Sequence, residues 1–548
     1  MGTKPQFIRF KMSTEKPPLP TGQVYVRKSS GLVRSINSRE ALFSNLIGMG
    51  IVINFFWICF ASLLYPNADL PLTVPIGAVI SIFVAYVYWM LSSAMPRTGG
   101  DYIYVGRILH PAIGFMVNFV LVTIMATWAG TFALYNSAYF SPIMLGAMTK
   151  VTGNTSYSSL GTWLGTPNGE FLGGLVILTL ACIVLFLPAK WVMRILLAVF
   201  AGQLIIYLWM VGTLMFVSHA DFVNGFNAQS GTTVQAILNA AQASGVNWTI
   251  TTAGTSIGIV YTILSFIGYN NSAYFAGEIS GEPRKTQGVA IVMSTLVFAV
   301  VIYILYAVTV NVFGHDFIVA SNTLALNGNS AWTLPYLPSP TYLISFVSNN
   351  PALIILAPFG LVLTAFGFLV EWTFVPIRNI FAWSFDRILP LKFADVDKRG
   401  VPRYSTALYV IIGYISLYLA VYTTVFNYMA YSNFGFNLAW AIVMFSAAVF
   451  PFLKKSKDIW NNAPSIVKAK VGPIPILTPV GLIAGSLCLW VSYSSILPAY
   501  TGMPITPVDT ASMLVLFVVA LVIYAVSYMY HKSKGVPIDL VAKELPPL

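Results

Sequence analysis

The sequence predicts an all-α integral membrane protein with about twelve transmembrane helices, and three observations predict it. First, 57% of the 548 residues are hydrophobic and 8% are charged, whereas soluble proteins carry about 25% charged residues. Second, the apolar stretches exceed about twenty residues without the polar alternation of a membrane β-barrel strand. Third, the basic residues fall almost entirely in every second loop between those stretches.

Each apolar stretch is long enough to cross about 30 Å of hydrocarbon as a helix of about twenty residues. The uncharged stretch 407–453 is about 70 Å long at 1.5 Å per residue, so it predicts a hairpin of two helices. The expected spans are 42–65, 72–94, 113–140, 171–187, 195–217, 252–276, 289–313, 351–377, 405–424, 428–453, 475–497 and 510–530.

The basic residues predict the orientation of these spans. Of the 29 Lys and Arg residues, Lys150 alone falls in a loop of the second set, which leaves 28 on the other side. Because basic loops stay in the cytoplasm, both termini are expected there, in a multi-pass protein of the cell membrane. The net charge of +12 therefore indicates contact with the lipid bilayer and its anionic headgroups, and not with nucleic acid.

No metal site or cofactor is predicted. The three cysteines lie singly in apolar stretches, and the four histidines lie at span ends or in loops. Neither set has the close spacing of metal ligands.

Two of the expected spans contain unusual interruptions. Gly48 and Gly50 interrupt the first, and Gly268 stands beside the paired asparagines Asn270 and Asn271 in the sixth. Each glycine weakens a helix by about 1 kcal/mol, and unwound backbone persists in a membrane only where protein covers it. Alternatively, the glycines merely allow helices to pack closely.

The matching positions of the interruptions favour two inverted halves of five spans each, with discontinuous helices 1 and 6 and a binding site where the breaks meet. Two further helices follow the second half. The expected organisation is a cytoplasmic N-terminal tail 1–40, a first repeat 41–219, an extracellular loop 220–251, a second repeat 252–453, a cytoplasmic loop 454–474, spans 475–530 and a cytoplasmic tail 531–548.

Four stretches carry a family resemblance. They are the glycine-rich break at 48–51, the loop MPRTGGDYIY at 95–104, the sixth span with its exit at 266–284, and Arg378 with SFDRILP at 384–390. In this order they resemble the amino acid–polyamine–organocation superfamily of permeases, which has the leucine-transporter architecture. Together the four stretches are specific to the superfamily and not to one substrate.

The resemblance implies how a substrate is bound. An amino-acid carboxylate would meet backbone N–H groups of Met49, Gly50 and Ile51, and the ammonium would meet carbonyls near Ile47, Phe266 and Ile267. The side chains of Phe266 and Tyr269 would form a gate or a wall of the site, or simply pack. The implied substrate-binding residues are Ile47, Gly48, Met49, Gly50, Ile51, Phe266, Ile267, Gly268, Tyr269 and Asn270.

Two residues are candidates for coupling or gating. Many family members have a lysine in the fifth span where this chain has Gln203, and glutamine does not titrate, so a lysine-based proton switch is excluded there. Glu371 is the one acid deep in an expected span, where a charge costs at least about 2.5 kcal/mol, so it is expected either to carry a proton or attract a cation, or to hold the fold.

Nearer the cytoplasmic side, two further acids have several basic residues within reach along the chain. Glu278 and Asp386 are expected to pair with Arg284, Arg387 or Arg97.

The expected function is secondary active transport of amino acids across the plasma membrane by alternating access. A polyamine or organic-cation transporter or exchanger of the same fold is the alternative. A membrane enzyme, for which GTSIG at 254–258 offers a GxSxG match, and a receptor are weaker ones. Proton coupling, sodium coupling, exchange and uniport all remain open.

Overall fold

The computed structural model describes residues 30–424, 432–497, 507–535 and 545–546. Most of the two expected tails, 1–40 and 531–548, lies outside these residues. The described chain is almost entirely helical, with one short antiparallel strand pair, β1 (Lys470–Val471) and β2 (Ile474–Pro475). The all-α membrane fold class is confirmed.

The helices follow one another with short connections. In chain order they are α1 (Ser38–Met49), α2 (Asn54–Leu64), α3 (Leu70–Ala94), α4 (Asp101–Ile108), α5 (Pro111–Tyr135), α6 (Ser141–Thr152), α7 (Ser156–Leu164), α8 (Pro167–Leu185), α9 (Ala189–Leu214), α10 (His219–Gln229), α11 (Val234–Ala243), α12 (Thr252–Ser265), α13 (Pro283–Gln287), α14 (Ser294–Phe313), α15 (His315–Leu326), α16 (Pro340–Leu343), α17 (Pro351–Phe385), α18 (Arg403–Tyr422), α19 (Ser432–Val449), α20 (Lys457–Asn462), α21 (Leu477–Ser494) and α22 (Pro507–Ser533).

Eleven helical stretches of the described chain are long and apolar enough to cross a bilayer, and they match all the expected spans except the sixth. They are Ser38–Leu64, Leu70–Ala94, Pro111–Thr152, Pro167–Leu185, Ala189–Leu214, Pro283–Phe313, Pro351–Phe385, Arg403–Tyr422, Ser432–Val449, Leu477–Ser494 and Pro507–Ser533.

The first span is broken as the sequence predicts. Helix α1 begins where Asn37 accepts hydrogen bonds from the N–H groups of Arg39 and Glu40, which satisfies donors that the first helical turn leaves free. It ends because Gly50 has φ of 69°, a left-handed conformation that favours glycine. The chain becomes helical again at Asn54.

The sixth span is shorter than predicted. A helix over 252–276 was expected to contain a local break, but α12 ends at Ser265. The chain then runs through turns and two 3₁₀ segments, Asn271–Ala273 and Ala276–Glu278, until α13 begins at Pro283. The helix therefore breaks at the predicted place, and no α-helix resumes within the rest of the expected span.

Side chains replace the missing helical hydrogen bonds in this segment. Asn45 Nδ2 donates to the Tyr269 carbonyl at 2.5 Å and to the Ala290 carbonyl at 2.7 Å. Asn45 Oδ1 accepts from the Ser272 N–H at 2.8 Å. Because Tyr269 and Ser272 are buried, protein surrounds this irregular backbone, as a membrane interior requires.

Helix α17 lies at the centre of the bundle, where it packs against α1, α5, α8 and α9. Nearly all of its residues from Leu369 to Ser384 are buried. By contrast, α22 exposes apolar side chains such as Val515, Val518 and Val526. An exposed apolar surface of this kind is what lipid covers.

Candidate functional site

The two breaks lie against each other inside the protein. A Cβ added at Gly268 would lie 2.5 Å from the Gly48 carbonyl carbon. A Cβ added at Gly48 would lie 2.6 Å from Asn271 Nδ2. Glycine at these two positions therefore lets the first and sixth spans touch through their backbones.

A cavity of about 480 Å³ opens beside the breaks. Its walls come from the first span, α5, α12, α17 and the neighbouring parts of α18 and α19. Its volume lies within the range of about 300–1,000 Å³ that is typical of small-molecule sites. Three of the predicted substrate-binding residues line it, namely Gly48, Met49 and Ile267.

The other predicted binding residues are buried next to the cavity without lining it. Phe266 packs edge-on against Phe298 at 5.1 Å between ring centroids, and Tyr269 packs against Trp440 at 5.6 Å. These two aromatic side chains therefore pack, and neither forms the cavity wall. The residues of this group are Ile47, Gly50, Ile51, Phe266, Gly268, Tyr269 and Asn270.

Aromatic residues are the largest group among the residues that line the cavity. Among the lining residues of the described chain there is no Asp, Glu, Lys, Arg or His. The polar lining side chains are hydroxyls and indoles. The aromatic lining residues are Trp57, Phe60, Trp128, Phe132, Tyr135, Tyr261, Phe368 and Trp372.

Most polar backbone groups around the first break already have partners. The Gly50 N–H donates to the Leu46 carbonyl at 2.9 Å. The Gly48 carbonyl accepts from Trp372 Nε1 at 3.1 Å, and the Gly50 carbonyl accepts from Asn54 Nδ2 at 2.6 Å.

The N–H groups that follow the break are different. Those of Ile51, Val52 and Ile53 make no hydrogen bond to any described residue. They stand at the N-terminal end of α2, where a helix carries partial positive charge. The resemblance implies free donors from Met49 onward, but in the structure the free donors begin two residues later, at Ile51.

The sixth span offers the complementary groups. The carbonyls of Ser265, Phe266 and Ile267 accept no hydrogen bond from the described residues. They stand at the C-terminal end of α12, where a helix carries partial negative charge. The breaks thus present free donors on one side and free acceptors on the other.

Glu371 lies behind the cavity wall and not in it. Its carboxyl group is completely buried and accepts from Asn271 Nδ2 at 3.3 Å. The Ser44 hydroxyl of α1 faces the same carboxyl group. Glu371 therefore links both broken spans to α17, while the next residue, Trp372, lines the cavity.

Gln203 is buried on α9 and faces the same side of α17. A Cβ added at Gly367 would lie 3.4 Å from Gln203 Nε2 and 3.1 Å from the Ile47 side chain. Neither the amide oxygen nor the amide nitrogen of Gln203 has a hydrogen-bond partner among the described residues. Gln203 does not line the cavity.

The two acids expected near the cytoplasmic side, Glu278 and Asp386, pair differently from the expectation. Glu278 receives two hydrogen bonds from Arg378, at 2.8 and 3.0 Å, and Asp386 pairs with Arg107 at 2.7 Å. Both pairs are almost completely buried. Pairing of these acids with Arg284, Arg387 or Arg97 was wrong, because the non-helical segment after α12 carries Glu278 to α17.

Asp101, at the start of α4, was not singled out from the sequence. It is completely buried, and the Tyr274 hydroxyl donates to it at 2.5 Å. Burial raises the pKa of Asp101 from 3.8 to about 6, and the hydrogen bond from Tyr274 opposes that shift. In the sequence, Asp101 is distinguished by its position directly after two glycines, Gly99 and Gly100. Both glycines have positive φ in the structure.

Comparison with known proteins identifies the family. One protein is 38% identical over 79 residues, "Uncharacterized protein 399" of Sulfolobus islandicus rod-shaped virus 1. That match covers 14% of this chain and 20% of the viral protein, so the chain spans about a fifth of that relative's length. The family model described as "Amino acid permease" matches residues 41–524. Since this match covers most of the chain, the protein belongs to the amino acid permease family.

Proposed function

We propose that this protein carries amino acids across the plasma membrane as a secondary active transporter that works by alternating access. The observation that carries the proposal is the meeting of two broken spans beside a cavity that no charged residue of the described chain lines. Free N–H groups on one span and free carbonyls on the other suit a molecule that bears one negative and one positive charge.

The substrate carboxylate lies at the N-terminal end of α2, near Ile51, Val52 and Ile53. Backbone donors and the helix dipole stabilise an anion there without any basic side chain. The substrate ammonium lies near the carbonyls of Ser265, Phe266 and Ile267. Gly48, Gly50 and Gly268 keep the two ends close together, and the remaining predicted residues support them from behind.

We expect the two repeats predicted from the sequence to be the parts of the protein that move against each other. The segments 41–219 and 252–453 act as two inverted halves around the central site, and both termini face the cytoplasm. The buried Arg378–Glu278 and Arg107–Asp386 pairs hold the cytoplasmic end closed in the present conformation.

Uptake by reconstituted protein tests this function. Sealed proteoliposomes that contain the full chain are expected to accumulate at least one labelled amino acid above the level of empty liposomes. The accumulation should fall when the same unlabelled amino acid is added in excess. If none of the twenty amino acids enters faster than into empty liposomes, the proposal is wrong.

Glu371 is the proposed proton carrier. It contacts both broken spans through Asn271 and Ser44, so its charge acts where the spans must rearrange. The charge of Arg378, two turns along α17, acts on Glu371, but that guanidinium is already bound to Glu278. Gln203 does not titrate and leaves this role to Glu371.

Replacing Glu371 with glutamine tests the proton step. Wild-type uptake is expected to rise as the external pH falls. Protonation makes the carboxyl group of Glu371 neutral, and a neutral group inside the membrane has a lower free-energy cost than a carboxylate. In Glu371→Gln, uptake should no longer change with pH, while the amide oxygen still accepts from Asn271. Glu170→Gln, at the partly exposed first turn of α8, is the control. An unchanged pH profile in Glu371→Gln would assign Glu371 to the fold alone.

A further inference from the structure

We propose that the transported amino acids are those with large apolar or aromatic side chains. This inference rests on the proposed function and names the substrate class of the same site. It follows from three features of the cavity. They are the hydrogen bonds that its hydroxyl groups make, the arrangement of its aromatic rings, and the partial charges of the helix ends beside it.

Three hydroxyl groups of the cavity wall already donate to backbone carbonyls. Thr127 donates to the Ile124 carbonyl at 2.7 Å, and Thr131 donates to the Thr127 carbonyl at 3.1 Å. Tyr261 donates to the Trp57 carbonyl at 3.0 Å. A substrate side chain with its own charge would lose its water and would meet only rings, aliphatic groups and hydroxyl groups among the described lining residues, which disfavours it strongly.

The rings of the wall interlock around the remaining space. Phe132 and Phe368 meet edge to face at 4.6 Å between centroids, and Trp128 and Trp372 do so at 4.9 Å. These are the distances and angles at which aromatic rings attract one another. A further ring or a branched aliphatic side chain placed among them gains contact area on several sides.

Aromatic walls also suit organic cations, so the helix ends decide between the two classes. A cation is attracted to the face of an aromatic ring and to the C-terminal end of α12, but the free N–H groups of Ile51, Val52 and Ile53 near the cavity favour an anion, which a polyamine does not supply. The lining residues of the described chain include no carboxylate that would offset it. A molecule with one carboxylate and one ammonium is therefore favoured over a polyamine.

Phe368 explains why a large side chain is required and not merely tolerated. A Cβ added at Gly50 would collide with the Phe368 ring, so this ring rests against the first break and also lines the cavity. A bulky substrate side chain in the cavity packs against this ring. A small substrate such as glycine leaves that space empty and loses the packing.

Competition in proteoliposomes tests the substrate class with wild-type protein. Phenylalanine, tryptophan and leucine are expected to compete with labelled substrate at concentrations at least about tenfold lower than glycine, since each added methylene in an apolar pocket is worth about tenfold or more. Lysine, glutamate and putrescine should compete least. Stronger competition by lysine, glutamate, putrescine or glycine would overturn the inference while transport itself stands. Absence of any amino-acid uptake would instead refute the proposed function.

A variant that fills the cavity gives an independent measurement. Thr131→Phe is expected to lower tryptophan uptake at least about tenfold and leucine uptake less, because the new ring occupies the space of the substrate side chain. Thr123→Phe is the matched control, since Thr123 lies two turns earlier on α5, donates to the Phe119 carbonyl and does not line the cavity. Equal tryptophan uptake in both variants would overturn the inference. If Thr131→Phe does not fold, the wild-type competition still decides.

Discussion

Replacing Gly268 with alanine is expected to abolish transport. The added Cβ would lie 2.5 Å from the Gly48 carbonyl carbon and 2.7 Å from the Met49 nitrogen, and both of these are backbone atoms that no rotamer change can move aside. Gly268 also has φ of 128°, a conformation that costs a residue with a side chain about 1–3 kcal/mol. The two breaks would be pushed apart, and the free N–H groups and carbonyls would no longer face one substrate.

The measurement is uptake in proteoliposomes together with thermal unfolding in detergent. Gly212→Ala is the control, because Gly212 lies within α9 and a Cβ there would meet nothing within 4 Å. Alanine is favoured over glycine in a helix by about 1 kcal/mol, so this variant should unfold no earlier than the wild type and transport normally. Normal uptake by Gly268→Ala would show that the breaks do not form the site.

Gly50 should tolerate substitution slightly better than Gly268. Its φ of 69° is also unfavourable for other residues, but its nearest neighbour is the Phe368 side chain. A side chain can turn away, whereas the backbone at Gly48 cannot. The two glycines of the breaks thus differ in the kind of atom they face, which the sequence alone does not indicate.

Replacing Arg378 with methionine is expected to destabilise the protein severely. Arg378 and Glu278 are 3% and 1% exposed, and removal of one partner leaves a buried charge without compensation at a cost of about 3–5 kcal/mol. The guanidinium also lies over the Phe374 ring at 3.6 Å, so its loss removes a second contact. Thermal unfolding should therefore begin at a clearly lower temperature than in the wild type.

The exposed ion pair between Lys285 and Glu282 provides the comparison. Lys285, whose side chain is 72% exposed, pairs with Glu282 at 3.1 Å, and such pairs contribute about 0–1 kcal/mol. Lys285→Met should therefore shift the unfolding temperature little. The double variant Arg378→Met with Glu278→Met should recover much of the lost stability, because neither charge of this pair is then left buried without its partner. Equal shifts for Arg378→Met and Lys285→Met would mean that the buried pair is unimportant for stability.

The sequence predicted the spans and the two breaks because both are local properties. Apolar length decides whether a helix crosses the membrane, and Gly48, Gly50 and Gly268 weaken helices wherever they stand. The sequence did not predict that the sixth span stays non-helical to Pro283. That outcome depends on Asn45, whose amide hydrogen-bonds a segment more than two hundred residues away.

The contacts between different helices at the site could not be predicted from the sequence either. Trp372 reaches the Gly48 carbonyl only because α17 packs beside the first span, and nothing in the neighbourhood of Trp372 along the chain signals this. Glu371 was recognised by its charge, but its place behind the wall was not. Arg378 was not predicted as the partner of Glu278 for the same reason, because nothing close along the chain or in a neighbouring loop indicates that pair.

The non-helical segment that follows α12 restricts how the molecule can move. A regular helix satisfies its own backbone and can slide or tilt against lipid, but this segment depends on neighbours such as Asn45 for its hydrogen bonds. Exposure of such backbone to hydrocarbon costs several kcal/mol for each unsatisfied group. Every state in the transport cycle must therefore keep the segment wrapped by protein, so α1 and the start of α14 should travel with it as one body.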